Sequence, residues 1–217
     1  MSNVLDEPET FTFVELQQQL GGVPAHRILL RPTPGTATEA DVMRLLDQRG
    51  VRCELIDGTL VEKEMDWKES VIASRINRKI GIYLATNDCG ETSGEQGGIR
   101  LILGRIRFPD LAFYRYERFP NGEFPTEAFP NLAPDLAVEV LSESNTASEM
   151  ELKRKEYFLA GTQLVWEIDP ESRSVEVFAS SEESTLLDSE GTLDGGKVLP
   201  GFTMAIGELF AKPQTRA

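Results

Sequence analysis

Cysteine and histidine are nearly absent from this chain, and their scarcity narrows its chemistry at once. Of 217 residues, 2 are cysteine and 1 is histidine. Cys53 and Cys89 have no CxxC spacing, so neither a zinc knuckle nor a disulfide framework is available. A site with two histidine ligands is impossible within one chain. A serine–histidine–acid arrangement would rest on His26, which stands in GVPAHRILLRP with no acid or nucleophile signature nearby. Basic residues are also in deficit: 22 Lys and Arg minus 36 Asp and Glu gives −14. That balance argues against a general nucleic-acid coat, which needs clustered Lys and Arg, while leaving room for a local basic patch or a bound cation. No run of eighteen apolar residues occurs, so no segment reads as membrane-spanning. The N-terminal MSNVLDEPETFTF is acidic and lacks the apolar core of a secretory signal, so a cytoplasmic location is expected.

What is present is ordinary globular composition, 40% hydrophobic and 27% charged, at a length that suits one large domain. With thiols and imidazoles scarce, chemistry falls to carboxylates, lysines and a hard metal.

Hydrophobic periodicity and punctuation divide the chain. Residues 9–20 read as a short helix stopped by Gly21-Gly22, and the Pro/Thr/Gly stretch 31–38 reads as an extended arm. Thr38-Glu-Ala-Asp41 is a variant capping box opening a helix that Gly50 closes. Asp57-Gly58 between two alternating runs, 51–56 and 59–64, predicts a hairpin. Residues 66–86 carry Val71, Ile72, Ile76, Ile80 and Tyr83/Leu84 at three- and four-residue intervals, the stripe of an amphipathic helix. A Gly-rich connection is expected over 87–98, strands over 99–103 and 105–114, and a proline-punctuated loop over 118–134. The nearly continuous apolar run 135–141 reads as a central strand covered on both faces. A helix follows at about 149–160, ended by Gly161, then strands at 164–168 and 175–178 joined by a turn at Asp169-Pro-Glu-Ser. A Gly-rich tail closes the chain, with a short apolar segment at 206–210. This order suits an α+β fold, a central mixed sheet flanked by helices: an N-terminal extension over 1–37, a domain over 38–210 and a tail over 211–217.

Two acids stand where the pattern wants apolar residues. Glu139 interrupts the buried strand on the face of Ala137 and Leu141, and an ionised carboxylate there costs several kcal/mol unless paired or metal-bound. Asp110 follows Ile106 and Phe108 on one face of its strand, just after Pro109. Two carboxylates on neighbouring strands, pointing the same way, suit Mg²⁺ or Mn²⁺. The plainer alternative pairs Glu139 with an arginine and makes Asp110 a turn cap. Pro134-Asp135 is a rival to Pro109-Asp110, but four residues at about 3.3 Å each put Asp135 roughly 13 Å along the strand from Glu139, too far to share one ion. Asp135 is therefore expected to be structural. On the helix after the Glu139 strand, Lys153 falls with Met150 and Tyr157, and Lys155 with Leu152 and Leu159, so helical phase alone does not choose between them.

Phe108-Pro-Asp-Leu-Ala-Phe113, Pro134-Asp-Leu-Ala-Val-Glu-Val-Leu-Ser142, Lys153-x-x-x-Tyr157 and Gly161-x-x-x-Val-Trp-Glu-Ile-Asp-Pro170 stand in an order that resembles the Uma-two family of restriction endonucleases, part of the PD-(D/E)xK nuclease superfamily. The resemblance also takes in Glu54-Leu-Ile-Asp-Gly-Thr-Leu-Val-Glu-Lys63 and Val198-Leu-Pro-Gly-Phe202, covering roughly residues 38–210. It implies a restriction-endonuclease-like core and Mg²⁺-dependent DNA cleavage, with Mn²⁺ as a substitute. By the same match Asp110 is the first metal ligand, Glu139 the second and Lys153 the catalytic lysine, with Glu69 as an added metal carboxylate. One departure stands out. The superfamily lysine lies two residues after the second acid, where this chain has Leu141, so the amine is expected to arrive from the helix instead. The resemblance further implies a homodimer, in which two sites meet two strands. The alternative function is a non-catalytic nuclease-fold module that binds nucleic acid or regulates. A carboxylate glycosidase fits poorly, since no aromatic cluster accompanies Asp110 or Glu139.

Overall fold

Thr12 caps the first helix, α1 (Phe13–Gln19), accepting from the Glu15 N–H while its own N–H donates to the Glu15 carboxylate. The computed structural model describes residues 12–64 and 66–212 of the chain. After α1 come a two-residue strand, β1 (Ile28–Leu29), and helix α2 (Glu39–Arg49), whose Thr38 N–H donates to Asp41 and whose end is turned by Gly50 at φ 64°. Strands β2 (Cys53–Ile56) and β3 (Thr59–Glu62) form the expected hairpin. Asp57 and Gly58 both have positive φ, 47° and 76°, as a two-residue turn between right-twisted strands requires.

Helix α3 (Trp67–Leu84) follows, then β4 (Gly90–Gly94), β5 (Ile99–Ile102), β6 (Arg105–Arg107), β7 (Leu111–Arg115) and β8 (Leu136–Val140). Helix α4 (Ala147–Ala160) has Thr146 as its cap and Gly161 as its stop, and leads to β9 (Leu164–Asp169), β10 (Ser174–Phe178) and β11 (Ser184–Leu187). The tail pairs β12 (Thr192–Asp194) with β13 (Thr203–Ala205). Two larger sheets result. One is antiparallel in the order β1-β3-β2-β6-β5; the other is mixed, in the order β11-β10-β9-β8-β7-β4, with β8 and β9 parallel.

Three expectations need correction. The connection 87–98 contains β4, paired with β7 through Gly90–Gly94. A Cβ on Gly90 would fall 2.1 Å from the Tyr114 carbonyl oxygen, so close backbone approach demands glycine and hides the strand from any side-chain pattern. The single strand expected over 105–114 is two strands, β6 and β7, in different sheets. Pro109, with no N–H to give a ladder, marks the crossing between them. Third, the Gly-rich tail, read with only a short apolar segment at 206–210, holds β11, β12 and β13.

β8 is buried along its whole length. Leu136, Val138 and Val140 meet Ile72, Ile76 and Ile80 of α3 on one face, each isoleucine contributing about 1.5–3 kcal/mol by leaving water. Ala137, on the other face, packs in a cluster with Ala112, Val165 and Tyr157 of α4. Glu139 points to that second face. The segment ahead of α2 is attached to the rest: Leu16, Leu20, Val23 and Ile28 pack on Ile56 and Val61, β1 pairs with β3, and buried Arg27 donates twice to Glu149 of α4, at 2.8 and 2.9 Å. Among the described residues no helix is long and apolar enough to cross a membrane.

Candidate active site

The two sheets meet where the chain runs through Phe108-Pro109-Asp110. The Asp110 N–H donates to the Val138 carbonyl at 3.1 Å, and the Val140 N–H donates to Asp110 Oδ2 at 2.7 Å. These bonds fix the carboxyl group beside β8 and turn its second oxygen, Oδ1, toward Glu139. Glu139 is fixed as firmly, because the Tyr157 hydroxyl donates to its Oε1 at 2.6 Å. Its Oε2 is left facing the same interior space. Asp110 and Glu139 are both buried, 4% and 3% exposed, so each charge must be met inside the protein.

Two lysines meet them. Lys153, on the buried face of α4 with Met150 and Tyr157, places its ammonium 3.1 Å from Glu54 Oε1 and 3.7 Å from Glu139 Oε2. Lys63, just past the end of β3, places its ammonium 2.8 Å from Asp110 Oδ1 and 3.1 Å from Glu139 Oε2, and donates to the Phe108 carbonyl oxygen. Glu54 of β2 is shared between Lys153 and Arg107, whose guanidinium lies 2.6 Å away. Arg107 also donates twice to Glu156 at 2.7 and 2.8 Å. Burial opposes the charge of both lysines, and the acids outweigh it: Asp110 and Glu139 hold Lys63 above its ordinary value, and Glu139 and Glu54 do the same for Lys153. Burial likewise opposes the Glu54 carboxylate, yet Lys153 and Arg107 hold it well below the usual carboxylate range. Burial, and then the Glu139 charge, push Tyr157 well above its ordinary value, so it remains a donor.

Two likenesses to known proteins bear on this cluster. The Uma2 family profile, described as "Putative restriction endonuclease", matches residues 39–207. The chain belongs to the Uma2 family. Among solved structures, a "putative nuclease belonging to DUF820" from Anabaena variabilis ATCC 29413 has the same fold, with 23% sequence identity and a TM-score of 0.65 over 73% of this chain and 89% of that one. Comparison with curated proteins finds no match.

In this Uma2 chain Asp110, Glu139 and Lys153 converge on one buried cluster. Lys155 does not join it. Exposed on the far side of α4, it pairs with Glu151 at 2.5 Å, so tertiary packing makes the choice that helical phase left open. Glu69 is buried in the first turn of α3, where its Oε2 accepts from the Asp66 N–H at 2.6 Å as a capping box requires. Burial first, and then the nearby Asp66 and Asp110 charges, raise its pKa. Among the described residues no group of three or more His, Cys, Asp or Glu side chains gathers as a metal cluster. His26 is exposed and lies 3.4 Å from Glu64.

Asp135 is filled by structure. Its oxygens accept from Arg118 at 3.0 Å, Gln163 at 2.8 Å and the Arg115 N–H at 2.9 Å, tying the start of β8 to the end of β7 and the loop after α4. Asp135→Asn should therefore leave Mn²⁺ affinity and any cleavage within a few-fold of wild type while lowering the unfolding midpoint. A loss as deep as that of Asp110→Asn in a folded protein would place the site at Pro134-Asp135 and overturn the choice of Asp110.

Lys63, Glu54 and Arg107 stand in the cluster although the sequence reading gives them no role, and Tyr157 enters that reading only as the residue one turn after Lys153 on the same helix face. A signal exists for two of them: Glu54 is an acid amid the apolar run Cys53-Glu-Leu-Ile56, and Arg107 a base between Ile106 and Phe108. Lys63 closes the family-like run Glu54–Lys63, but that match assigns it no role, and the end of a hairpin strand is an ordinary place for a lysine.

The donor set suits a hard divalent cation. Three oxygens surround one point, Asp110 Oδ1, Glu139 Oε2 and the Phe108 carbonyl, and all are of the kind Mg²⁺ takes. The Lys63 ammonium stands at that point. The ammonium lies 2.8 Å from Asp110 Oδ1, so a cation already meets the oxygen that a metal would take.

Proposed function

We propose that this Uma2 chain is a divalent-metal-dependent endodeoxyribonuclease that hydrolyses phosphodiester bonds at the Asp110–Glu139–Lys153 cluster. The observation that carries the reading is the convergence of these three side chains, from the sheet junction, β8 and α4, within a buried space whose donors are all oxygen. Family membership and the nuclease fold support it. Asp110 and Glu139 would hold the ion. The chemistry such an ion supplies is polarisation of a phosphoryl oxygen and acidification of an attacking water. The chain's own residues do the rest. The Val140 N–H and the Tyr157 hydroxyl hold the two carboxylates in register, so no reorganisation is needed as charge develops. Lys153, fixed by Glu54, offers a positive charge where the phosphorane gains negative charge. Cutting both strands of a duplex calls for two such sites, which a homodimer would supply.

Plasmid nicking with Mg²⁺, with Mn²⁺ and with EDTA tests the reading, run on wild type, Lys153→Met and Lys155→Met. Nicking should require the ion. Lys153→Met should lose roughly 10²–10³ in rate, as expected for removing one positioned charge from a transition state. It should keep its Mn²⁺ affinity, because an ammonium is not a ligand, and Lys155→Met should match wild type. Dead Lys155→Met beside active Lys153→Met would reverse the assignment.

One observation favours the second reading in its regulatory form, a non-catalytic module that does not bind DNA on its own. Cavities of about 900 and 630 Å³ beside the cluster are lined by acids, among them Glu64, Asp66, Glu69 and Glu143 in the first and Glu167 and Asp169 in the second, which would repel a polyanion. Neither DNA binding nor nicking by the folded protein, with Mg²⁺ or with Mn²⁺ present, would select that reading.

A further inference from the structure

We propose that Lys63 is a built-in occupant of the cation position, and that a divalent ion binds this chain by displacing it. The inference rests on the reading of Asp110 and Glu139 as metal ligands and concerns what fills their site beforehand.

The geometry supplies the first argument. The Lys63 ammonium touches the Phe108 carbonyl, lies 2.8 Å from Asp110 Oδ1 and 3.1 Å from Glu139 Oε2, and its side chain is 6% exposed. A divalent ion would bond to these same oxygens at about 2.0–2.1 Å, leaving the ammonium no place among them. Two positive centres cannot share one cage of this size in a buried setting.

Charge balance supplies the second. Five carboxylates, buried Glu54, Asp110, Glu139 and Glu156 with exposed Asp57, form one connected network with four cations, Lys63, Lys153, Arg107 and Arg105. Four minus five leaves a single negative charge, at the exposed Asp57 end, so with Lys63 in place little charge is left over to draw in a divalent ion. Lys153 and Arg107 are locked by Glu54, and Arg105 by Asp57 and Glu156, so Lys63 is the cation placed to leave.

The third argument is where it would go. Lys63 lines the cavity of about 900 Å³, whose walls include Glu62, Glu64, Glu69 and Glu143. An ammonium released from Asp110 and Glu139 enters an acidic space and keeps its charge compensated. The state without metal is thus held together by the lysine, and the ion has to compete with an internal ligand.

Mn²⁺ titration calorimetry on wild type, Lys63→Met and Glu139→Gln, with thermal unfolding recorded with and without Mn²⁺, tests this. Lys63→Met should bind Mn²⁺ at least tenfold more tightly than wild type. Its midpoint should fall without the ion, because two carboxylates lose their counter-ion, and rise with Mn²⁺ by more than that of wild type. If wild type binds, Glu139→Gln does not, and Lys63→Met binds equally or more weakly, the inference fails and the metal site stands. If neither wild type nor Lys63→Met binds, both fail together. Should Lys63→Met not fold alone, refolding across a Mn²⁺ series decides: a yield that climbs with the ion supports displacement, and a flat yield overturns it.

Discussion

Glu139→Gln is expected to abolish Mn²⁺ binding and plasmid nicking together while leaving the fold intact. The amide keeps the size of the carboxylate and still accepts from the Tyr157 hydroxyl, which lies 2.6 Å from Glu139 Oε1. Its two cations are not stranded, since Lys63 keeps Asp110 and Lys153 keeps Glu54. What is lost is one of two anionic oxygens facing the shared point. Outer-shell partners of metal ligands cost roughly 10–100-fold when removed, and a ligand itself should cost more. Mn²⁺ affinity should therefore drop by more than about 100-fold, read by calorimetry on protein whose circular dichroism is unchanged. Undiminished affinity in Glu139→Gln and in Asp110→Asn would remove the two-carboxylate site.

The second large effect is on stability. Arg107 is fully buried and is the partner that Glu54 and Glu156 have in common. Arg107→Met fills much of the same volume but takes one cation from each of two buried carboxylates, leaving Glu54 with Lys153 and Glu156 with Arg105. Removing one side of a buried ion pair costs about 3–5 kcal/mol, because the charge that stays has lost water and part of its compensation. For a chain of this length that lowers the unfolding midpoint by about 6–20 °C. Lys155→Met, which removes an exposed charge paired only with exposed Glu151, should leave the midpoint in place. Equal midpoints for the two variants would mean that water reaches the Glu54–Arg107–Glu156 cluster.

The contrast between Lys153 and Lys63 marks what the sequence can express. Lys153, Met150 and Tyr157 share a helical face, so a periodic pattern offered the lysine as one of two candidates. Glu139 stood out because a charge in a buried strand has few explanations. The strand pattern singles out Asp110 for a partly mistaken reason: the residue lies not within a strand but at the crossing from one sheet to the other, beside β8 through the Asp110–Val138 and Val140–Asp110 bonds. Lys63 depends on how β3 of one sheet is set against β8 of the other. That relation is tertiary, and no local periodicity encodes it. The glycines of β4 show the same limit, since what they accommodate is the carbonyl of a neighbouring strand.

The Val140 amide gives the site a spectroscopic handle. It sits in the middle of the molecule, yet its proton goes to the Asp110 carboxylate, where a ladder bond would be expected. A proton bound to one oxygen of a carboxylate senses what the other oxygen binds. The Val140 resonance in an amide NMR spectrum of ¹⁵N-labelled protein should thus shift as ammonium, diamagnetic Mg²⁺ or a proton takes its turn on Asp110 Oδ1, with no substrate added.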